Sequence, residues 1–318
     1  MKIVLLRGGV PTDRSPKEIT YNSLEESDCI YEHMAAGLGD ERCEILYFGG
    51  SREVSYSDTC TVKWVKKLSK YEPDFYPDVI WCRGGFKEYE GFIKKFPKAK
   101  RIYYGAGKRK FPEYSKAYDV VLADSMKDKA EIEERGYHSE LWFKPALPMF
   151  KKLDIKKKYD VCFVAIHPGD KRKNIKWVYE TAPKKLQFLQ LGNTPKFKVP
   201  KNFKIKKALR SKVPKLMNQC HVGVMLYGKD DANPRVLAEM LCCGLPVIAL
   251  KSTRFWVAKY FSPIFSFLGD IVGKEIFWSI VVKFIKQKCP SAVSEASGET
   301  LSVENAVRRL KTIIEEGG

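Results

Sequence analysis

Asp230-Asp231-Ala232-Asn233-Pro234-Arg235-Val236-Leu237-Ala238-Glu239-Met240-Leu241-Cys242-Cys243-Gly244-Leu245-Pro246-Val247-Ile248-Ala249-Leu250 is the stretch on which the reading of this chain turns. Asn233 is a good helix N-cap and Pro234 fits the first helical turn. Gly244 suits the left-handed position that ends a helix, and Pro246 follows it. The spacing predicts a helix from Pro234 to about Cys243. The apolar run His221 to Leu226 reads as a strand before it, and Val247 to Leu250 as a strand after it. The helix N-terminus then opens at the carboxyl edge of a parallel sheet, where open α/β sheets bind their ligands. Its free N–H groups and dipole would attract a diphosphate.

Asp231 lies just before this helix and Glu239 about one and a half turns into it. Two carboxylates so placed can accept hydrogen bonds from hydroxyls at the two ends of a bound sugar nucleotide. A plainer account fits equally well on spacing alone. Arg235 and Glu239, four apart, would make a surface ion pair of a few tenths of a kcal/mol, and Asp231 would cap.

Outward from this stretch, short β-branched or aromatic runs alternate with charged segments of helical spacing. Lys2 to Leu6, Cys43 to Phe48, Asp78 to Cys82, Arg101 to Tyr104 and Asp119 to Ala123 read as strands; Ser27 to Leu38 and Met126 to Arg135 read as helices. The rhythm restarts after Lys144-Pro145-Ala146-Leu147-Pro148 and the basic run 151–158, with Tyr159 to Ile166, Gln187 to Leu191, His221 to Leu226 and Pro246 to Leu250. Alternation implies parallel sheets, and the proline-bearing segment reads as a linker. The expected architecture is α/β: two Rossmann-like domains, 1–148 and 149–318, whose parallel sheets face each other across a cleft. Near the end, Ile276, Phe277, Ile280, Val281, Phe284 and Ile285 share one helix face, read as packed on its own domain rather than on a membrane. A final helix opens at Ser302-Val303-Glu304-Asn305.

Composition narrows the class. The chain has 318 residues, enough for two domains, and 57 Lys plus Arg against 38 Asp plus Glu, a formal charge of +19. That excess favours polyanionic or phosphorylated partners. The nine cysteines form no regular framework and no C-x-x-C pair, so they read as buried free thiols of a reducing cytoplasm, not as a metal or disulfide set. No secretory pattern opens the chain. The most apolar stretch, Tyr260 to Ile285, is broken by Asp270, Lys274, Glu275 and Lys283, short of the roughly 18 uninterrupted residues of a membrane span. There is no G-x-G-x-x-G, P-loop, H-E-x-x-H or G-x-S-x-G motif.

Asp231-x7-Glu239 followed by Met240-Leu241-Cys242-Cys243-Gly244-Leu245-Pro246-Val247-Ile248-Ala249 resembles the E-x7-E segment and its trailing signature in retaining glycosyltransferases of the GT-B fold. Weaker likenesses follow in the family's order: Asp119 to Ser125 with the end of its first domain, Lys144 to Phe150 with its interdomain crossing, and Asp160 to Val164 with the first strand of its second domain. Met1 to Gly9 fits more loosely. The resemblance implies metal-independent transfer of a sugar from a nucleoside diphosphate to a hydroxyl acceptor, with no further cofactor.

By the same resemblance, Glu239 would accept from the donor ribose hydroxyls, and Asp231, a methylene shorter than the family's glutamate, would contact the sugar. Backbone N–H groups near Asn233 and Arg235 would face the phosphates. The turn His167 to Asn174 holds Lys171, Arg172 and Lys173, where the family keeps a basic pair to neutralise the leaving diphosphate; a solvated basic turn reads as well. Gly8 and Gly9 would let the backbone approach a substrate, though a tight turn needs them too. His33 falls within a helix and reads as a surface or packing residue. Where the family's first-domain histidine is expected, this chain has Tyr103-Tyr104-Gly105-Ala106-Gly107-Lys108-Arg109. Acceptor activation and stereochemical outcome therefore stay open.

Segment 94–110 carries eight Lys or Arg and no acid, and 196–215 carries nine and no acid. Three readings stand: an acceptor that is nucleic acid, such as a hydroxymethylated base; an anionic membrane face bearing a lipid-linked acceptor, with the protein cytoplasmic and peripheral; or a solvated lysine surface. A nucleotide-sugar epimerase and a non-catalytic polyanion-binding protein are the competing functions.

Overall fold

The computed structural model describes residues 1–7, 30–48, 52–55, 57–84, 87–105, 117–166, 168–169, 174–225, 235–250, 265–268, 274–286 and 301–316. Two compact units divide them: 1–142 with 303–318, and 143–302.

The first unit contains β1 (Lys2–Arg7), α1 (Ile30–Leu38), β2 (Arg42–Phe48), β3 (Arg52–Ser55), β4 (Cys60–Val65), β5 (Val79–Arg83), α2 (Glu88–Ile93), β6 (Lys100–Tyr104), β7 (Val120–Ala123), α3 (Met126–Glu133) and β8 (Ser139–Leu141). Its eight strands lie in the order β3-β4-β2-β1-β5-β6-β7-β8. Ile3, Val4, Leu5 and Leu6 are all buried, so both faces of β1 are covered, as a sheet flanked by helices requires. The expected all-parallel sheet needs one correction. β3 runs antiparallel to β4, because a connection of only residues 56–59 is too short for a crossover.

The second unit contains β9 (Tyr159–Ala165), α4 (Ile175–Thr181), β10 (Phe188–Gly192), β11 (Phe203–Lys206), α5 (Val213–Met217), β12 (Cys220–Met225), α6 (Arg235–Cys242), β13 (Val247–Leu250), β14 (Phe265–Leu268) and α7 (Lys274–Lys286). The sheet order is β11-β10-β9-β12-β13-β14, with every pair parallel. Buried Asn218 fastens the incoming chain to this unit. Its Oδ1 accepts from Leu153 N at 2.8 Å, and its Nδ2 donates to Lys151 O at 3.0 Å and Pro214 O at 2.9 Å. On α7, Trp278 and Val281 join the second unit's core, and Trp278 Nε1 donates to Thr181 Oγ1 at 3.1 Å. That helix packs on its own unit.

The last helix, α8 (Val303–Glu316), lies with the first unit, whereas chain order placed it in the second domain. Val303, Ala306, Val307, Leu310 and Ile313 make its buried stripe. The stripe faces α1, and Lys311 reaches Asp40 at 3.1 Å and Arg309 reaches Glu140 at 3.4 Å. Seven described cysteines are free and buried: Cys43, Cys60, Cys82, Cys162, Cys220, Cys242 and Cys243. Among the described residues no helix is long and apolar enough to cross a membrane.

Candidate functional site

The turn signals around Glu239 do produce a helix between two parallel strands. α6 spans Arg235–Cys242, and Gly244 ends it with φ of 72°, a conformation that a side chain would strain. β12 and β13, on either side of α6 in sequence, pair in parallel through Gly223, Val224 and Met225. The first turn of α6 therefore follows the carboxyl end of β12.

Glu239 differs from the surface ion pair that spacing allowed. It is fully buried, and two arginines hold it. Arg235 Nε donates to Oε1 at 2.9 Å, four residues back on the same helix. Arg210, in the single helical turn Arg210–Lys212, forks across the carboxylate, with Nη2 on Oε1 and Nη1 on Oε2 at 3.2 Å. The Arg210 guanidinium also lies over the Phe150 ring, 4.5 Å from its centroid. A planar fork suits both contacts, one bidentate and one stacked. Beside this pair, burial and then the Glu239 charge push the Cys242 thiol up to about 12, so it stays protonated.

Arg210 was not singled out by sequence. It sits in the basic run 196–215, and nothing in its spacing separates it from the neighbouring lysines. At the carboxyl end of the same sheet, β9 leads through Ala165 and Ile166 toward α4. Asn193, just after β10, donates from Nδ2 to Ile166 O at 2.6 Å, which ties the two strand ends together. Of the other residues singled out, Asp231, Asn233, Lys171, Arg172, Lys173, Gly8 and Gly9 lie outside the described residues. His33 lies on α1, partly buried, as read.

In the first basic run, much of the charge has internal partners. Arg101 pairs with Asp119 at 2.5 Å, Lys94 with Glu90 at 2.9 Å, and Lys95 with Glu72 at 3.4 Å. The remainder of that run from 106 onward lies outside the described residues.

No protein-family model matches the sequence, and no curated protein matches it either. Solved structures do match along nearly the whole chain. A glycosyltransferase from Rickettsia africae ESF-5 is 12% identical with a TM-score of 0.71, over 99% of this chain and 98% of that one. The sucrose-phosphate synthase from Thermosynechococcus elongatus is 11% identical with a TM-score of 0.68, over 99% and 98%. HepE from Anabaena, solved with UDP and glucose, is 12% identical with a TM-score of 0.64, over 99% and 100%. The chain has the fold of GT-B glycosyltransferases. With identities this low, the likeness establishes architecture, and the α/β class with two largely parallel sheets matches what the alternation implied.

Proposed function

We propose that this GT-B chain is a glycosyltransferase that binds a nucleoside-diphosphate sugar in its second unit and moves the sugar to a hydroxyl acceptor without a metal and with retention. The observation that carries the reading is the buried Glu239 carboxylate near the first turn of α6, held in place by Arg210 and Arg235. A carboxylate fixed from two sides loses little further freedom on accepting ribose hydroxyls, so binding would be preorganised. Free N–H groups at the start of α6 suit the diphosphate.

In the proposed reaction the bond from the sugar's anomeric carbon to the diphosphate oxygen breaks, and a bond to the acceptor oxygen forms. The acceptor's proton passes to the departing phosphate on the same face of the sugar. Lys171, Arg172 and Lys173 would offset the charge growing on that phosphate, Asp231 would orient the sugar hydroxyls, and N–H groups near Asn233 would hold the phosphates. Gly8 and Gly9 would leave room for the substrate near β1. The complex of HepE with UDP and glucose makes uridine-diphosphate sugars the first donors to try.

The test is product analysis by mass spectrometry with a panel of nucleotide sugars and hydroxyl acceptors. Transfer or slow release of the nucleoside diphosphate supports the reading, and Glu239→Gln should lower it at least tenfold. Conversion of donor to an epimer would assign the competing enzyme class. Inert donors together with salt-dependent DNA or RNA binding would assign a polyanion-binding protein.

A further inference from the structure

The first unit holds a second charged cluster, at the carboxyl ends of its central strands. Arg7 ends β1 and Arg83 ends β5, and they are direct Cα partners across the parallel pair. Both guanidinium groups lie on the Tyr31 ring, at 5.0 and 4.9 Å from its centroid, and Arg83 lies also 5.4 Å from the centroid of Tyr104. The carboxylates around them are already engaged. Glu32 pairs with Arg7 at 2.7 Å and accepts from Tyr47 Oη at 2.5 Å, while Asp124 accepts from Tyr104 Oη at 2.8 Å.

Arg83 is left over. It has no ion pair among the described residues, and its buried Nε meets no acceptor. Ring faces attract a guanidinium but cannot take its in-plane N–H hydrogens, so the rings hold its charge and leave its donors unfilled. A partly buried guanidinium without a counter-ion is unfavourable unless something supplies the charge. The strand ends where it sits form the edge at which sheets of this kind meet their ligands.

We infer that Arg83, with Arg7 beside it, forms an oxyanion-binding subsite in the first unit, and that the acceptor taken there carries a phosphate or carboxylate group. The word acceptor rests on the transferase reading above; the anion site itself does not. A guanidinium held against two neighbouring tyrosine rings keeps its N–H donors for a ligand, and a planar fork of donors matches a carboxylate or phosphate. Arg7, balanced by Glu32, adds field without a second uncompensated charge.

The experiment titrates inorganic phosphate, and separately acetate, at constant ionic strength while following the Nε–H resonance of Arg83. In wild type that resonance should shift and saturate with one or both anions, and the stronger binder identifies the acceptor's anionic group. Arg83→Gln should weaken the anion-induced change in tryptophan fluorescence from the neighbouring Trp81 and Trp142 at least tenfold, and Arg83→Lys should recover part of it. An unmoved Arg83 resonance in the wild type overturns the inference, even should Arg83→Gln fail to fold. Titration of UDP in parallel separates the two claims. An anion response without nucleotide binding retires the transferase reading alone, and nucleotide binding with a silent Arg83 retires the anion site alone.

Discussion

Glu239 and Arg210, 29 residues apart in the chain, meet as a carboxylate and a guanidinium in which the carboxylate is wholly buried and the arginine is 17% exposed. The pair connects α6 to the turn before α5 and fixes the acid on which the proposed donor site depends. Removing the acid alone leaves Arg210 and Arg235 without their counter-charge. Breaking a buried pair in this way costs about 3–5 kcal/mol, and the partial exposure of both arginines brings the expectation for Glu239→Ala down to roughly 2–3 kcal/mol. Urea unfolding of the ligand-free protein checks this, and a loss under about 0.5 kcal/mol, typical of a surface change, would contradict it.

Arg210 and Arg235 should not tolerate lysine equally. Arg210 is both bidentate on Glu239 and stacked on Phe150, roles a lysine cannot fill together, whereas Arg235 reaches Glu239 through Nε alone. Arg210→Lys is expected to weaken nucleotide binding about tenfold, roughly 1.4 kcal/mol, and Arg235→Lys by clearly less. Calorimetric titration of the two variants gives the order, and the reverse order would place the positioning burden on Arg235.

The link between β6 and β7 predicts an acid-sensitive step. Burial by itself would raise the Asp119 carboxyl, but the Arg101 guanidinium and backbone N–H outweigh it and hold the group below its usual value. The unfolded chain therefore takes the proton first, so the stabilisation is complete above about pH 4 and fades as the pH falls through the folded value. The melting-temperature gap between wild type and Asp119→Asn should shrink as the pH falls below about 4. A gap independent of pH would show that the pair contributes nothing electrostatic.

Two glycines near the ends of β9 and β10 should differ sharply in their response to alanine. A Cβ on Gly192 would come 2.3 Å from the carbonyl oxygen of Ala165, and its φ is 138°. At Gly169 a Cβ would meet nothing within 4 Å. Gly192→Ala is expected to destabilise by about 2 kcal/mol or more, and Gly169→Ala by under about 0.5 kcal/mol. Equal effects in denaturant melts would mean that the strand ends relax freely.

How much of this was legible follows from what each element has to do. β1, β5, β9 and β12 are buried on both faces, so they stand out as apolar runs, and β2 does so despite its buried Glu44. β4, with Lys63 on Glu44, and β11, with Lys204 and Lys206 in a basic run, alternate or carry charge, and they were passed over. α8 was seen as a helix, but its return to the first unit depends on the fit of its stripe to α1, which chain order conceals. At the site, capping and turn residues marked α6 and so led to Glu239. Arg210 meets Glu239 because of where its loop lands, and no local pattern records that.

The measurement that bears most directly on the central claim is calorimetric titration of UDP, GDP, ADP and their sugar derivatives into wild type and Glu239→Gln. The account predicts that one nucleotide class binds the wild type and that its affinity falls by tenfold or more in the variant, about 1.4 kcal/mol or above. Binding of equal strength in both proteins, or none of any class to the wild type, would contradict the placement of a nucleotide-sugar site at Glu239.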